Sequence, residues 1–157
     1  MKKTVLLVFL ALISPPSLAN DCFDLAGRDY RIDPDLLRAI AWKESRFNPR
    51  AIGRSPDKSI DIGLMQINSQ HADTFRPLGI SMQQLHNDPC LNIYTGAYVL
   101  AKAFKKWGVN WNAVGAYNAG FKQTRKQAEK RYHYAKDIHT YYLAIKNSKN
   151  LLAKSDR

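Results

Sequence analysis

From residue 21 onward, apolar side chains recur at intervals of three and four, the spacing that gathers them on one face of a helix. Asp21 stands where an N-cap belongs, ahead of Cys22, Phe23, Ala26 and Tyr30 on one stripe, and Asp33-Pro34 supplies a second cap with proline at the first helical position. Ser81 and Gln84 have capping-box spacing. Asp88-Pro89 repeats the cap-plus-proline signal before a long helix in which Cys90, Tyr94, Ala97, Ala101 and Phe104 share a face until Gly108. Asn112 to Asn118 reads as a short helix stopped by Gly120. Tyr134, Ile138, Tyr141, Tyr142 and Ile145 mark the apolar face of a last helix, and the polar segment 148–157 is expected to fray.

The periodicity breaks between Arg46 and Leu64, where Asn48, Pro49, Gly53, Ser55, Pro56, Asp57 and Ser59 all favour turns, so a loop or short hairpin belongs there. No internal repeat or second core is visible. The expectation is one mainly α domain over residues 20–147, of α+β type if the irregular segment pairs as strands.

The first residues change the compartment rather than the fold. Lys2 and Lys3 precede an apolar run from Val5 to Ile13, then Ser17 and Ala19 provide small residues suited to cleavage after Ala19. Residues 1–19 therefore read as a secretory signal peptide, too short for the roughly 20 apolar residues of a bilayer span. Export to the periplasm follows. In an oxidising compartment Cys22 and Cys90 pair by default, which would close a long loop and stabilise the domain by roughly 3 to 4 kcal/mol. Two separate buried thiols are the alternative.

Charge narrows the partners less than it suggests. Lys and Arg number 24 against 13 Asp and Glu, a net +11, which points to something anionic without naming it. Lys122, Arg125, Lys126, Lys130, Arg131 and Lys136, with Tyr132 and Tyr134 interleaved, have the mixture used on single-stranded nucleic acid. A solvated helix face explains them as well, and export argues against nucleic acid. His71, His86, His133 and His139 make no zinc-ligand pattern and the two cysteines are better spent on a disulfide, so no metal is expected; general-acid chemistry by a single carboxyl requires no organic cofactor.

The most informative chemistry is a glutamate out of place. In the helix starting at Pro34, Leu37, Ile40, Ala41 and Glu44 fall at i, i+3, i+4 and i+7, so Glu44 occupies the stripe that should be buried. Burial disfavours the carboxylate and keeps a proton available for general-acid work near neutral pH. Pairing with Lys43 or Arg46, or escape to solvent, is the structural alternative. The other glutamate, Glu129, lies in a highly polar stretch. Asp61 is the remaining acid of interest, as a turn residue or a second carboxylate.

Glu44-Ser45, Gly63-Leu64-Met65-Gln66, Ala116-Tyr117-Asn118-Ala119-Gly120 and Tyr134 follow one another in the order seen in lytic transglycosylases. The chain resembles that family from about Asp21 to Ile145. Cys22, Asp61-Ile62-Gly63 and Asp88-Pro89-Cys90 make it similar to the small IagB/IpgF-type group associated with secretion and conjugation machineries. The resemblance implies a lysozyme-like fold with a saccharide-binding cleft, and cleavage of the MurNAc-GlcNAc β-1,4 bond of peptidoglycan. It makes Glu44 the catalytic acid and then base, and has Ser45 position Glu44 or the substrate's acetamido group. Gln66 and Asn118 become saccharide-binding residues, and Tyr117 and Tyr134 line the site near Glu44. Gly63 and Met65 shape the groove wall, although Met65 equally suits the core and Tyr134 simple packing. A water-using muramidase and a non-catalytic basic wall- or DNA-binding protein are the competing readings.

Overall fold

The computed structural model describes residues 21–155, so the expected signal peptide lies outside the described residues. Its helices are α1 (Cys22–Tyr30), α2 (Pro34–Ser45), α3 (Ala72–Phe75), α4 (Met82–Asn87), α5 (Pro89–Trp107), α6 (Trp111–Ala119) and α7 (Arg125–Ser155). The strands are β1 (Ile52–Arg54), β2 (Ile60–Ile62) and β3 (Ile67–Asn68). The expected caps form. The Asp21 carboxylate accepts from the N–H groups of Phe23 and Asp24, Asp33 accepts from Asp35, and Asp88 accepts from Leu91. Ser81 and Gln84 close a capping box at α4.

The irregular segment is more ordered than a hairpin. β1 and β2 pair antiparallel with Gly53 opposite Asp61, and β3 adds to β2 with Asp61 opposite Asn68. A two-residue strand is too short to leave a period in the sequence, which is why β3 was not anticipated.

Helices α1, α2, α5, α6 and α7 enclose a core of Leu37, Ile40, Met65, Leu85, Ile93, Leu100 and Ile138. The deepest face of α5 runs through Ile93, Ala97 and Leu100; of the expected Cys90, Tyr94, Ala97, Ala101 and Phe104 line, Ala97 is fully buried and the others are partly buried. Packing on both sides of a central helix widens its buried face beyond one stripe. At Gly115 a Cβ would lie 2.4 Å from the Arg131 carbonyl, so glycine sets how closely α6 and α7 cross.

Cys22 and Cys90 form a disulfide across 68 residues, joining the first turns of α1 and α5. At the other end, α7 continues past Asn147 to Ser155. Lys146 and Lys149 explain part of the extension, since both reach Asp35 at the start of α2, at 3.1 and 2.5 Å. Arg38 adds a third cation to Asp35 and also binds Asp21 and Asp24. The N-termini of α1 and α2 and the far half of α7 are thereby tied into one ionic cluster.

Candidate active site

A cleft of about 480 Å³ opens between the sheet and the α5–α6 pair. Glu44 reaches it from the last turn of α2, Asp61 and Asn68 from the sheet, Tyr98 and Lys102 from α5, and Tyr117, Asn118 and Phe121 from the end of α6 and beyond. Glu44 is therefore neither a free surface carboxylate nor the partner of Lys43, whose ammonium goes to Asp137 at 2.6 Å.

Burial pushes the Glu44 carboxyl up from 4.5 to about 7. The Tyr134 hydroxyl, 2.5 Å from Oε1, works against that shift, while the negative charge of Asp61 reinforces it. Burial and the Glu44 charge in turn hold the Tyr134 and Tyr117 phenols well above their ordinary range, so both keep their protons. The two tyrosine rings stack, with centroids 6.4 Å apart and planes 14° from parallel. The site thus contains a carboxyl able to give and take a proton near neutral pH, supported by phenols that stay donors.

Of the residues singled out in the sequence, Glu44, Asp61, Gln66, Tyr117 and Asn118 line the cleft together. Ser45, Met65 and Tyr134 stand behind it. Ser45 Oγ lies 2.8 Å from the Leu64 carbonyl and 3.1 Å from that of Ala41, which commits its proton to backbone. Met65 is 0% exposed and its side chain lies against Gly96, so it belongs to the core and not to the groove wall. Its backbone matters more than its side chain: the Met65 carbonyl accepts from Tyr117 Oη at 2.8 Å. Tyr134 is 5% exposed and meets Glu44 from behind the cleft surface.

Gln66 faces the cleft, but its amide nitrogen is bound to the carbonyls of Gly63, at 3.0 Å, and Ala51, at 3.3 Å. Gly63 has φ +76°, and a Cβ there would sit 2.3 Å from Asn92 Nδ2. Asn92, which the sequence reading missed, is fully buried on α5. Its Nδ2 donates to the carbonyls of Ile62 and Leu85, and its Oδ1 accepts from the Met65 N–H. One asparagine thereby pins the Gly63–Gln66 turn to the central helix. An asparagine between apolar neighbours early in that helix was the available signal.

The basic stretch divides. Arg131 is 2% exposed, donates to Asn112 and to the carbonyls of Gly120 and Lys122, and lies over the Trp107 ring. Tyr134 is turned inward, as its place on the apolar face of α7 predicts, so Arg131 and Tyr134 both serve the α6–α7 junction. Among the described residues, no group of three or more His, Cys, Asp or Glu side chains is placed to hold a metal ion. None of the helices described is long and apolar enough to cross a membrane.

A helical domain with a small antiparallel sheet beside a cleft, and a partly buried carboxyl at that cleft, has the lysozyme-like architecture. The chain belongs to the Transglycosylase SLT domain family, whose model matches residues 21–140. It is 56% identical over 151 residues to the X polypeptide of Escherichia coli strain K12, covering 96% of this chain and 89% of that protein. It is 42% identical over 140 residues to invasion protein IagB of Salmonella typhimurium strain SL1344, covering 89% and 86%. Protein IpgF of Shigella flexneri is also 42% identical, over 139 residues, covering 88% and 90%. Among solved structures, an inactive glutamate-to-glutamine mutant of lytic transglycosylase Slt from Pseudomonas aeruginosa superposes with a TM-score of 0.64 at 26% identity. That match covers 86% of this chain and spans a quarter (25%) of the Slt chain.

Proposed function

We propose that this protein is a peptidoglycan lytic transglycosylase that cleaves the MurNAc-GlcNAc β-1,4 bond and leaves a 1,6-anhydroMurNAc end. The observation that carries the reading is Glu44, a carboxyl in the cleft with its proton affinity raised to about 7 and a phenol 2.5 Å away. The relative Slt, itself described as a lytic transglycosylase, adds support through its fold.

Protonated Glu44 gives its proton to the glycosidic oxygen, the bond to the muramoyl anomeric carbon breaks, and the neighbouring N-acetyl carbonyl stabilises the positive charge left there. The GlcNAc hydroxyl departs. Glu44, now a carboxylate, takes the proton of the muramoyl 6-hydroxyl as that oxygen closes on the anomeric carbon. The proton returns to Glu44, so one residue serves as acid and base and no water is consumed. Tyr134 and Tyr117, fixed as donors, hold the carboxyl and the Met65 turn; Gln66 and Asn118 line the path of the saccharide.

The test is digestion of purified sacculi by wild type and by Glu44→Gln, with products weighed by mass spectrometry. Anhydro ends from the wild type alone support the proposal, and full activity in Glu44→Gln overturns it. A hydrolytic muramidase is the second reading, favoured by Asp61 lining the same cleft as Glu44. Reducing-end products that take up labelled oxygen from water would establish it.

Local opening of the wall for a secretion or conjugation apparatus is the biological task this reading supports, in line with the invasion protein among its relatives. The Cys22–Cys90 disulfide fits a periplasmic setting.

A further inference from the structure

The two walls of the cleft carry opposite charge. Glu44 and Asp61 lie on the α2–sheet side, and α5 forms the other side. Tyr98, Lys102 and Lys106 follow at four-residue spacing, and Tyr98 and Lys102 line the cleft directly. The Lys102 ammonium sits 5.6 Å over the Tyr98 ring, and that of Lys106 sits 4.5 Å over the ring of Phe121, another lining residue. None of the ion pairs among the described residues involves Lys102 or Lys106. Many other cations of the described residues also lie outside these ion pairs, so what sets Lys102 and Lys106 apart is their place over aromatic rings that line the cleft. Lys102 also adds its charge to the burial that holds His71 below its ordinary range.

We propose that Lys102 and Lys106 form an anion-reading wall that binds carboxylates of the peptide stems carried by the glycan strand, so that the protein prefers acidic, stem-bearing substrate. The inference rests on the peptidoglycan reading above and deepens it. A glycan backbone of N-acetylated sugars is neutral, so the lysines have nothing to neutralise on it; its anionic groups hang from the lactyl side chain and the stem. A carboxylate entering the cleft is repelled from Asp61 and drawn to α5, which fixes the face of the strand presented to Glu44. The aromatic rings beneath the ammoniums limit their motion and leave sugar C–H faces a surface to pack on. Because both lysines stay near solvent, the attraction should weaken with salt, over a screening length of about 8 Å at physiological ionic strength.

The test compares stem-bearing glycan strands with the same strands after their stem carboxylates have been converted to carboxamides, at equal chain length. Wild type should cleave the free-acid strands with kcat/KM higher by a factor on the order of five, mostly through KM, as expected of two partly exposed ion pairs. The ratio should fall towards one in 0.5 M salt and in the Lys102→Gln, Lys106→Gln double variant. Lys102→Arg should keep it, and Lys102→Glu should invert it. Equal rates of wild type on both strands overturn the inference and leave the transglycosylase reading standing, as does a preference that survives in the double variant. Cleavage of neither strand removes the reading on which the inference rests, and the inference with it.

Discussion

Tyr134 Oη donates to Glu44 Oε1 at 2.5 Å, a bond between α7 and α2 that spans 90 residues of sequence. It sets the proton affinity of Glu44 against two opposing influences. Burial raises that affinity, the phenol lowers it, and Asp61 raises it again through space. The resulting value near 7 is a balance, which substitutions at Tyr134 and at Asp61 should tip in opposite directions.

Removing the phenol in Tyr134→Phe takes away the donor that favours the charged form, so the alkaline limb of the pH–rate profile should move above pH 7. Asp61→Asn removes a neighbouring negative charge and should move the same limb to lower pH. The paired measurement is kcat/KM on soluble muropeptide from pH 4 to 10. Limbs that shift together, or not at all, would detach Glu44 from the general-acid role.

The same balance appears in stability. Glu44 holds its proton more tightly folded, at about 7, than unfolded, at 4.5, so its favourable contribution is complete below pH 4.5 and is lost as the pH rises through 7. Glu44→Gln lacks this dependence. It should resist urea better than wild type at pH 9, by up to about 3 kcal/mol, with the difference shrinking towards pH 4. Urea midpoints at the two pH values decide it, and a gap that is constant with pH would contradict the buried-carboxyl account.

Asn92 should matter for the site although it touches no substrate. Asn92→Ala leaves the Met65 N–H and the carbonyls of Ile62 and Leu85 without their side-chain partner, at a cost of at least about 2 kcal/mol. The freed turn also carries the Met65 carbonyl that anchors Tyr117. Equilibrium unfolding should show the loss, and activity measured well below the melting temperature should still be reduced. Full activity in a destabilised variant would assign Asn92 to the fold alone.

These cases show what a sequence discloses. Glu44 was legible because helical period places it on the face of Leu37, Ile40 and Ala41, and all three of those are fully buried. Its neighbours in the motif were legible as a group but not in their roles, since a short string does not say whether a side chain or its backbone does the work. Ser45 and Met65 act through or upon main-chain carbonyls, and only coordinates reveal that. Arg131 misled for a different reason: a guanidinium among five other cations looks solvated unless one knows that a backbone end, Gly120 to Lys122, needs its donors. The long α7 was hidden too, because its far half is held by charges on α2 rather than by an apolar stripe.

That last contact gives a prediction with the opposite pH sign. Asp35 is 3% exposed and binds Arg38, Lys146 and Lys149. Burial alone would raise its pKa, but hydrogen bonds from Lys149, Lys146 and Arg38 outweigh it and hold the carboxyl below its ordinary 3.8. Its contribution is therefore present above pH 4 and is lost as the solution is acidified through the lowered folded value. Asp35→Asn keeps the size of the side chain and discards the charge, leaving three cations gathered without their shared anion. At pH 7 it should cost roughly 2 kcal/mol, between the values for an exposed and a buried ion pair because the carboxylate is buried but two of its cations are partly exposed, and the difference from wild type should close towards pH 2. Lys149→Ala should cost less, because that ammonium is half exposed and two other cations remain on Asp35. Helix content followed by circular dichroism through urea titrations at pH 3 and 7 separates the two variants. A deficit in Asp35→Asn that is as large in acid as at neutrality would mean that the aspartate holds α7 by shape and not by charge.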